Sequence, residues 1–187
     1  MHEADETVYR RFLKSRNEED LRLLFDRHRE SLILFLMGYV RQEEDAEDLM
    51  METFAVAASG TARFSGRSSF KTWLFAIARN KAASFLRAQR RKRDAAKETA
   101  AEETDSPEME TLQEEDRRTL YKALDTLPED YRQALYLVYF EQMSQDEARA
   151  VMRKTRTQMY NLVARGRARL RETMEKMGYT GEYEGGG

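Results

Sequence analysis

Cysteine is absent from the 187 residues. That excludes a disulfide framework, a thiolate metal site and a cysteine nucleophile. Proline occurs only twice and glycine nine times, three of those glycines closing the chain. So few breakers favour long helices over a many-turned β-fold. The two histidines, His2 and His28, are too few for most metal sites. His28 falls at helical spacing with Leu24 and Leu32, which predicts a packed imidazole rather than a ligand. No apolar run approaches the roughly 20 residues of a membrane span, so no direct membrane insertion is expected. The acidic opening "MHEADETVYRR" is unlike a cationic leader, and a cytoplasmic location is expected. No Ser–His–Asp arrangement, phosphate loop or metal signature is present. The expectation is a non-catalytic protein with no metal, no cofactor and no small-molecule substrate.

Charge is plentiful, and it is segregated. The net value of −2 hides six blocks. Residues 1–62 carry −6, 63–97 carry +10, 98–130 carry −9, 131–152 carry −1, 153–176 carry +6, and 177–187 carry −2. Two cationic stretches separated by an anionic one point to polyanionic partners at two places.

Apolar periodicity assigns the elements. Leu21, Leu24, Phe25, His28, Leu32, Phe35, Leu36 and Tyr39 recur at three- and four-residue steps, predicting a helix over about 18–41. Ala46, Leu49, Met50, Thr53, Phe54 and Ala57 predict another over 44–59. A third is expected over 69–91, and a shorter one near 7–15. The pattern dissolves in "AAKETAAEETDSPEME", which reads as a solvated linker. It resumes at Leu120, Ala123, Leu124 and Leu127. Pro128 suits the first turn of the next helix. "SQDE" at 144–147 reads as a capping box opening a short helix to Met152. After a turn, a basic helix spans about 155–177. Short helix, turn and long basic helix are the order of a helix-turn-helix. The fold class is therefore all-α, two small helical domains joined by an acidic linker. The expected boundaries are 1–92, linker 93–112, a four-helix helix-turn-helix domain over 113–177, and a disordered tail over 178–187.

Two constellations suggest nucleic acid. In the last helix Thr155, Arg156, Thr157, Gln158, Tyr160 and Asn161 offer groups for base edges or phosphates, with Arg165 further along. On a wheel of the third helix Phe70, Leu74, Ile77, Ala78 and Phe85 share the core side. Trp73, Asn80, Ser84 and Arg87 share a neighbouring side. Ring, amide, hydroxyl and guanidinium in one stripe suit single-stranded nucleic acid, and Phe64, Ser65, Ser68 and Ser69 in the preceding loop extend it. The acidic helix "EEDAEDLMMETF" has Asp45, Asp48 and Glu52 at helical steps, a protein-docking surface rather than a metal site. A dimeric helix-turn-helix repressor and a carboxylate-metal phosphohydrolase are the competing readings; the scarcity of histidine weighs against the second.

"DAEDLMMETF", "RFSGRSSFKTWLFAIARNKAASFLR" and "LDTLPEDYRQALYLVYFEQMSQDEARAVM…RGRARLR" together resemble bacterial sigma factors of the extracytoplasmic-function class, over about residues 21–174. The resemblance implies a promoter-recognition subunit whose partners are core RNA polymerase (the clamp of its largest subunits and its flap), promoter DNA and an anti-sigma factor, any tie to the membrane being made through the last. It implies polymerase docking by Asp45, Asp48, Leu49, Glu52 and Phe54. It implies −10 element capture and melting by Phe64, Ser65, Ser68, Ser69, Lys71, Trp73, Asn80, Lys81, Ser84 and Arg87, with Phe64 and Asn80 near a flipped base. The helix from Thr155 through Arg165 would read the −35 element, and the acidic linker would run near the RNA exit path. The sequence departs from the family pattern at Met51, where Gln is usual. It departs again at Arg149, Arg153 and Lys154, where Ala, a turn Gly and an apolar residue are usual.

Overall fold

The structure, a computed structural model, describes residues 3–40, 42–96 and 115–178. All regular structure among the described residues is helical: α1 Asp5–Ser15, α2 Glu18–Met37, α3 Glu43–Ser59, α4 Phe70–Ala96, α5 Glu115–Asp125, α6 Glu129–Leu135, α7 Gln145–Met152 and α8 Arg156–Lys176. A single π-helical turn, Tyr136–Phe140, continues α6. Most of the expected linker, and the tail from residue 179, lie outside the described residues.

Local chemistry sets several ends. The Asn17 side chain caps α2 by accepting from the Glu19 amide at 3.0 Å, satisfying one orphan donor. α2 stops at Met37 rather than 41 because Gly38 follows as its C-cap. α4 continues past the expected end at 91 to Ala96, since "RRKRDAA" holds good helix formers and no breaker. The start of the expected linker, 93–96, is therefore helical. Pro128 stands just before α6 as its N-cap rather than inside its first turn. Ser144 and Glu147 form the expected capping box of α7.

α1 to α4 pack together in one lobe, α5 to α8 in another, and α4 also packs on α7 across the seam between them. One hydrophobic core runs through both lobes, from Val8, Leu24 and Phe70 to Leu137, Val151 and Met159. The wheel of α4 is largely as expected: Phe70, Leu74 and Ala78 are fully buried. Phe75 and Ala82 join them, while Ile77 and Phe85 are only half-buried.

The seam is also polar. Tyr136 Oη donates to the Ser31 carbonyl at 3.1 Å, and Arg132 Nη2 to the Gly38 carbonyl at 2.9 Å. Gly38 lets the Gln133 amide pack closely there, since a Cβ at that position would meet Nε2 at 2.1 Å and force the side chain aside. Lys71 Nζ pairs with the buried carboxylate of Glu141 and donates to its carbonyl at 2.9 Å. The Thr72 and Ser69 hydroxyls lie 3.1 and 3.2 Å from Glu147 Oε1. Burial pushes the Glu147 carboxyl up. The hydrogen bonds from Ser144, Thr72 and Ser69 outweigh that and leave it below its ordinary value. His28 is buried as the spacing predicts, with Nε2 at 2.7 Å from Asp5 Oδ2. Desolvation lowers its pKa despite the nearby carboxylate.

Candidate nucleic-acid interface

The loop between α3 and α4 begins where Gly60 ends α3 in the left-handed conformation (φ 70°). Thr61, Arg63, Ser65, Arg67 and Ser68 are exposed; Phe64 and Ser69 are half-buried. Phe64 is turned into an aromatic cluster with Tyr9 at 5.6 Å, Trp73 at 5.3 Å and Phe70 at 6.2 Å between ring centroids. Trp73 sits in the same cluster, 5.2 Å from Tyr9 and 5.6 Å from Phe70. Trp73, expected to stack on bases, is half-buried among these rings, so only part of its surface is open. Its contact with Tyr9 comes from α1, an element the wheel of α4 does not include.

Asn80 lies elsewhere, in an open groove of about 540 Å³ between α3 and α4. Leu49, Glu52, Val56, Ala62, Lys81, Ser84 and Phe85 share its walls. Loop residue Ala62, rather than Phe64, shares the groove with Asn80. Ser84 and Arg87 are exposed on the outer turn, with Arg87 Nη2 donating to Ser84 Oγ at 3.1 Å. The groove thus has an amide, a hydroxyl and the Lys81 ammonium along one side and apolar walls beneath, with Arg87 beyond its rim beside Ser84. It can hydrogen-bond a base edge, hold a phosphate and cover a ring face.

The acidic side of this groove belongs to α3. Asp48 and Glu52 are exposed and Asp45 is half-buried. Leu49 and Phe54, placed on the docking surface by the resemblance, are instead 3 % and 5 % exposed. They hold α3 from within, Phe54 against Phe25 at 5.0 Å. Both therefore support the docking helix from its inner face in the free chain, Leu49 also reaching the wall of the groove. Exposed Met51 is available on the outer face. Glu52 pairs with Lys81 at 3.0 Å, so a docking candidate and a DNA candidate neutralise each other.

On α8 every candidate is exposed: Thr155, Arg156, Thr157, Gln158, Tyr160, Asn161 and Arg165. Two are occupied by the backbone. Thr155 Oγ1 accepts from the Gln158 amide at 3.2 Å, and Gln158 Oε1 from the Thr155 amide at 2.9 Å. Thr155 is thus the N-cap rather than the first helical residue. Arg156 reaches back to Asp146 at 3.1 Å, and Arg149 meets the same carboxylate at 2.7 Å. The two guanidiniums, Arg149 first, hold the Asp146 carboxyl below its ordinary value. The atypical turn residues are accommodated. Arg153 takes the left-handed C-cap conformation, and Lys154 extends its ammonium to Asp130 at 2.7 Å, its stem half-buried. The seam carboxylates Glu141 and Glu147, and α1 with Tyr9 and Glu6, carry no function in the sequence reading.

The family described as Sigma-70 region 2 matches residues 24–92, and Sigma-70, region 4 matches residues 117–170. The ECF RNA polymerase sigma factor SigX of Bacillus subtilis is 31 % identical over 165 residues, 84 % of this chain and 85 % of that protein. The chain is an ECF-class sigma factor. The ECF RNA polymerase sigma-E factor of Escherichia coli K12 is 30 % identical over 160 residues, covering 80 % of this ECF sigma factor and 83 % of the relative. The solved sigma factor RpoE, in complex with the anti-sigma factor NepR from Bartonella quintana, superposes with a TM-score of 0.68. It has 26 % identity, over 84 % of this chain and 98 % of that one. CnrH, solved with the cytosolic domain of CnrY, shares the fold with a TM-score of 0.66 and 23 % identity, over 93 % of this chain and 99 % of that one. The two matched sigma-70 regions fall one on each lobe, region 2 on α2 to α4 and region 4 on α5 to α8.

Proposed function

We propose that the chain joins core RNA polymerase through the exposed acidic face of α3, reads the −35 element with α8, and captures the opened −10 strand with the loop 61–69 and α4. It does so as a cytoplasmic specificity factor without catalytic chemistry of its own. The observation that carries the −10 reading is the groove holding Asn80, Lys81 and Ser84 beside a loop of mostly exposed small and cationic residues. Duplex DNA needs an exposed helix, and α8 offers one with uncommitted Thr157, Tyr160 and Asn161 near its start. The charge blocks support the same division, since both DNA-facing stretches are cationic.

For Ser69 and Lys71 to meet DNA, Glu147 and Glu141 first have to let go of them. Promoter binding is thus coupled to separation of the lobes. An anti-sigma partner holding the lobes together is the matching form of control, supported by the anti-sigma complexes named for the similar structures. Among the described residues no helix is long and apolar enough to cross a membrane; in this reading a membrane tie is made through the anti-sigma partner.

Transcription in vitro with core polymerase on genomic DNA, with start sites mapped, tests the reading. Asn80→Ala is expected to lower open-complex formation at those starts about tenfold, the worth of one ~1.4 kcal/mol base contact, while core binding is retained. Unchanged transcription by Asn80→Ala would remove Asn80 from the −10 site.

A further inference from the structure

α1 precedes the residues matched by either sigma-70 region, and the proposed function gives it no task. It nevertheless grips the loop between α3 and α4 at its start, middle and end. At the start, buried Tyr9 Oη donates to the Ala57 carbonyl at 2.8 Å, and Arg16 Nη1 to the Ala58 carbonyl at 2.9 Å. In the middle, the Tyr9 ring meets Phe64 edge-on at 79°, and Arg10 Nη2 lies 2.9 Å from where a Cβ on Gly66 would stand. Gly66 has φ +71°, the left-handed region that favours glycine. At the end, the Phe70 amide donates to Glu6 Oε1 at 2.7 Å. That amide is a free donor at the start of α4, so Glu6 acts as a cap supplied by another helix. α1 is itself tied to α2, Asp5 meeting Arg27 at 2.6 Å and His28 at 2.7 Å.

Core packing alone explains Val8, Phe12 and the ring of Tyr9. It does not explain polar bonds to both flanks of one loop. The exposed loop residues have few contacts of their own, so these anchors decide where the loop sits against the Asn80 groove. We propose that α1 is a positioning clamp. Glu6 and Tyr9 hold the loop at the geometry that captures the −10 base, without touching DNA. The clamp rests on the strand-capture reading of that loop. Misplacement by about an ångström is enough to weaken such a site.

The test uses the full chain with core polymerase and a promoter fragment that the wild-type holoenzyme opens, beside the same fragment substituted in its −10 element. Permanganate reactivity of the opened strand gives discrimination between the two. Core affinity and affinity for the −35 duplex are measured in parallel. Glu6→Ala is expected to lose roughly tenfold in discrimination, the scale of one lost hydrogen bond to a charged group, with both affinities unchanged. Glu6→Gln keeps an acceptor for the Phe70 amide and should recover most of the loss. Tyr9→Phe keeps the ring and should fall between. Full discrimination in Glu6→Ala would overturn the clamp. So would a parallel fall in core affinity, which would make α1 a prop for the whole lobe. Full discrimination in Asn80→Ala would instead remove the strand-capture reading on which the clamp depends.

Discussion

On α8 the side chains of Thr157, Tyr160 and Asn161 stand in solvent, Tyr160 at 63 % exposure. Along the loop and α4, Phe64 and Trp73 are instead packed into the aromatic cluster of their own lobe. On the roles proposed above, the difference matches what each surface would meet. Duplex DNA brings its own rigid groove, so a free helix face can be inserted into it. An unstacked strand brings no fixed shape, so the protein has to supply one. The loop and α4 are therefore woven into the fold, whereas α8 is presented by it.

The largest test of that contrast is a matched pair of truncations. Trp73→Ala opens a space among Tyr9, Phe64 and Phe70 and should cost about 3 kcal/mol in urea unfolding, near the low end for a large aromatic. Tyr160→Ala removes an equally conspicuous ring and should change stability by less than about 0.5 kcal/mol, while weakening binding to a −35 duplex. If the two cost the same, the −10 surface is no more built into the fold than the −35 helix.

The seam gives a smaller effect. Lys71→Ala leaves the Glu141 carboxylate, 6 % exposed, without its cation. Breaking a buried pair costs several kcal/mol, and the one-third exposure of Lys71 reduces this to about 2 kcal/mol. Adding Glu141→Leu to Lys71→Met should return most of the loss, since an apolar pair of similar size needs no counter-charge. A double variant as unstable as Lys71→Ala would locate the cost in packing instead.

Which of these features the sequence revealed depends on their range. The inward face of α3 was legible in the three- and four-residue spacing of Ala46, Leu49, Met50, Thr53 and Phe54. That spacing placed Leu49 and Phe54 on the inward face, where they are found. Both capping boxes and the end of α3 are local, and Ser144 with Glu147 could be read directly. Trp73 could not. A wheel drawn for α4 alone leaves it outward, and the rings that cover it include Tyr9 of α1, over sixty residues earlier, and Phe64 of the loop. The same limit hides the seam. Nothing near Gly38 announces that Gln133 will pack where its Cβ would be, and nothing near Glu147 announces the hydroxyls of Ser69 and Thr72. Glu6 was invisible for a similar reason, because a carboxylate capping a distant helix has no spacing to betray it.

The smallest effect concerns the turn that presents α8. Arg153 ends α7 at φ 55° and ψ 43°, a left-handed conformation that costs an L-residue roughly 1–2 kcal/mol. Its amide donates to the Arg149 carbonyl, and its side chain is exposed. Glycine keeps that backbone bond and removes the Cβ penalty, but loses more entropy on folding. Arg153→Gly should therefore gain about 1 kcal/mol net, a rise in Tm of about 3 °C for a chain of this size. Arg16 has the same φ of 55° at the end of α1, and it also donates to the Ala58 carbonyl. Arg16→Gly trades that bond for the same relief and should gain less. If Arg153→Gly were neutral or destabilising while Arg16→Gly gained, the turn would owe its stability to the Arg153 side chain, and the presentation of α8 would be less free of the fold than its exposure implies.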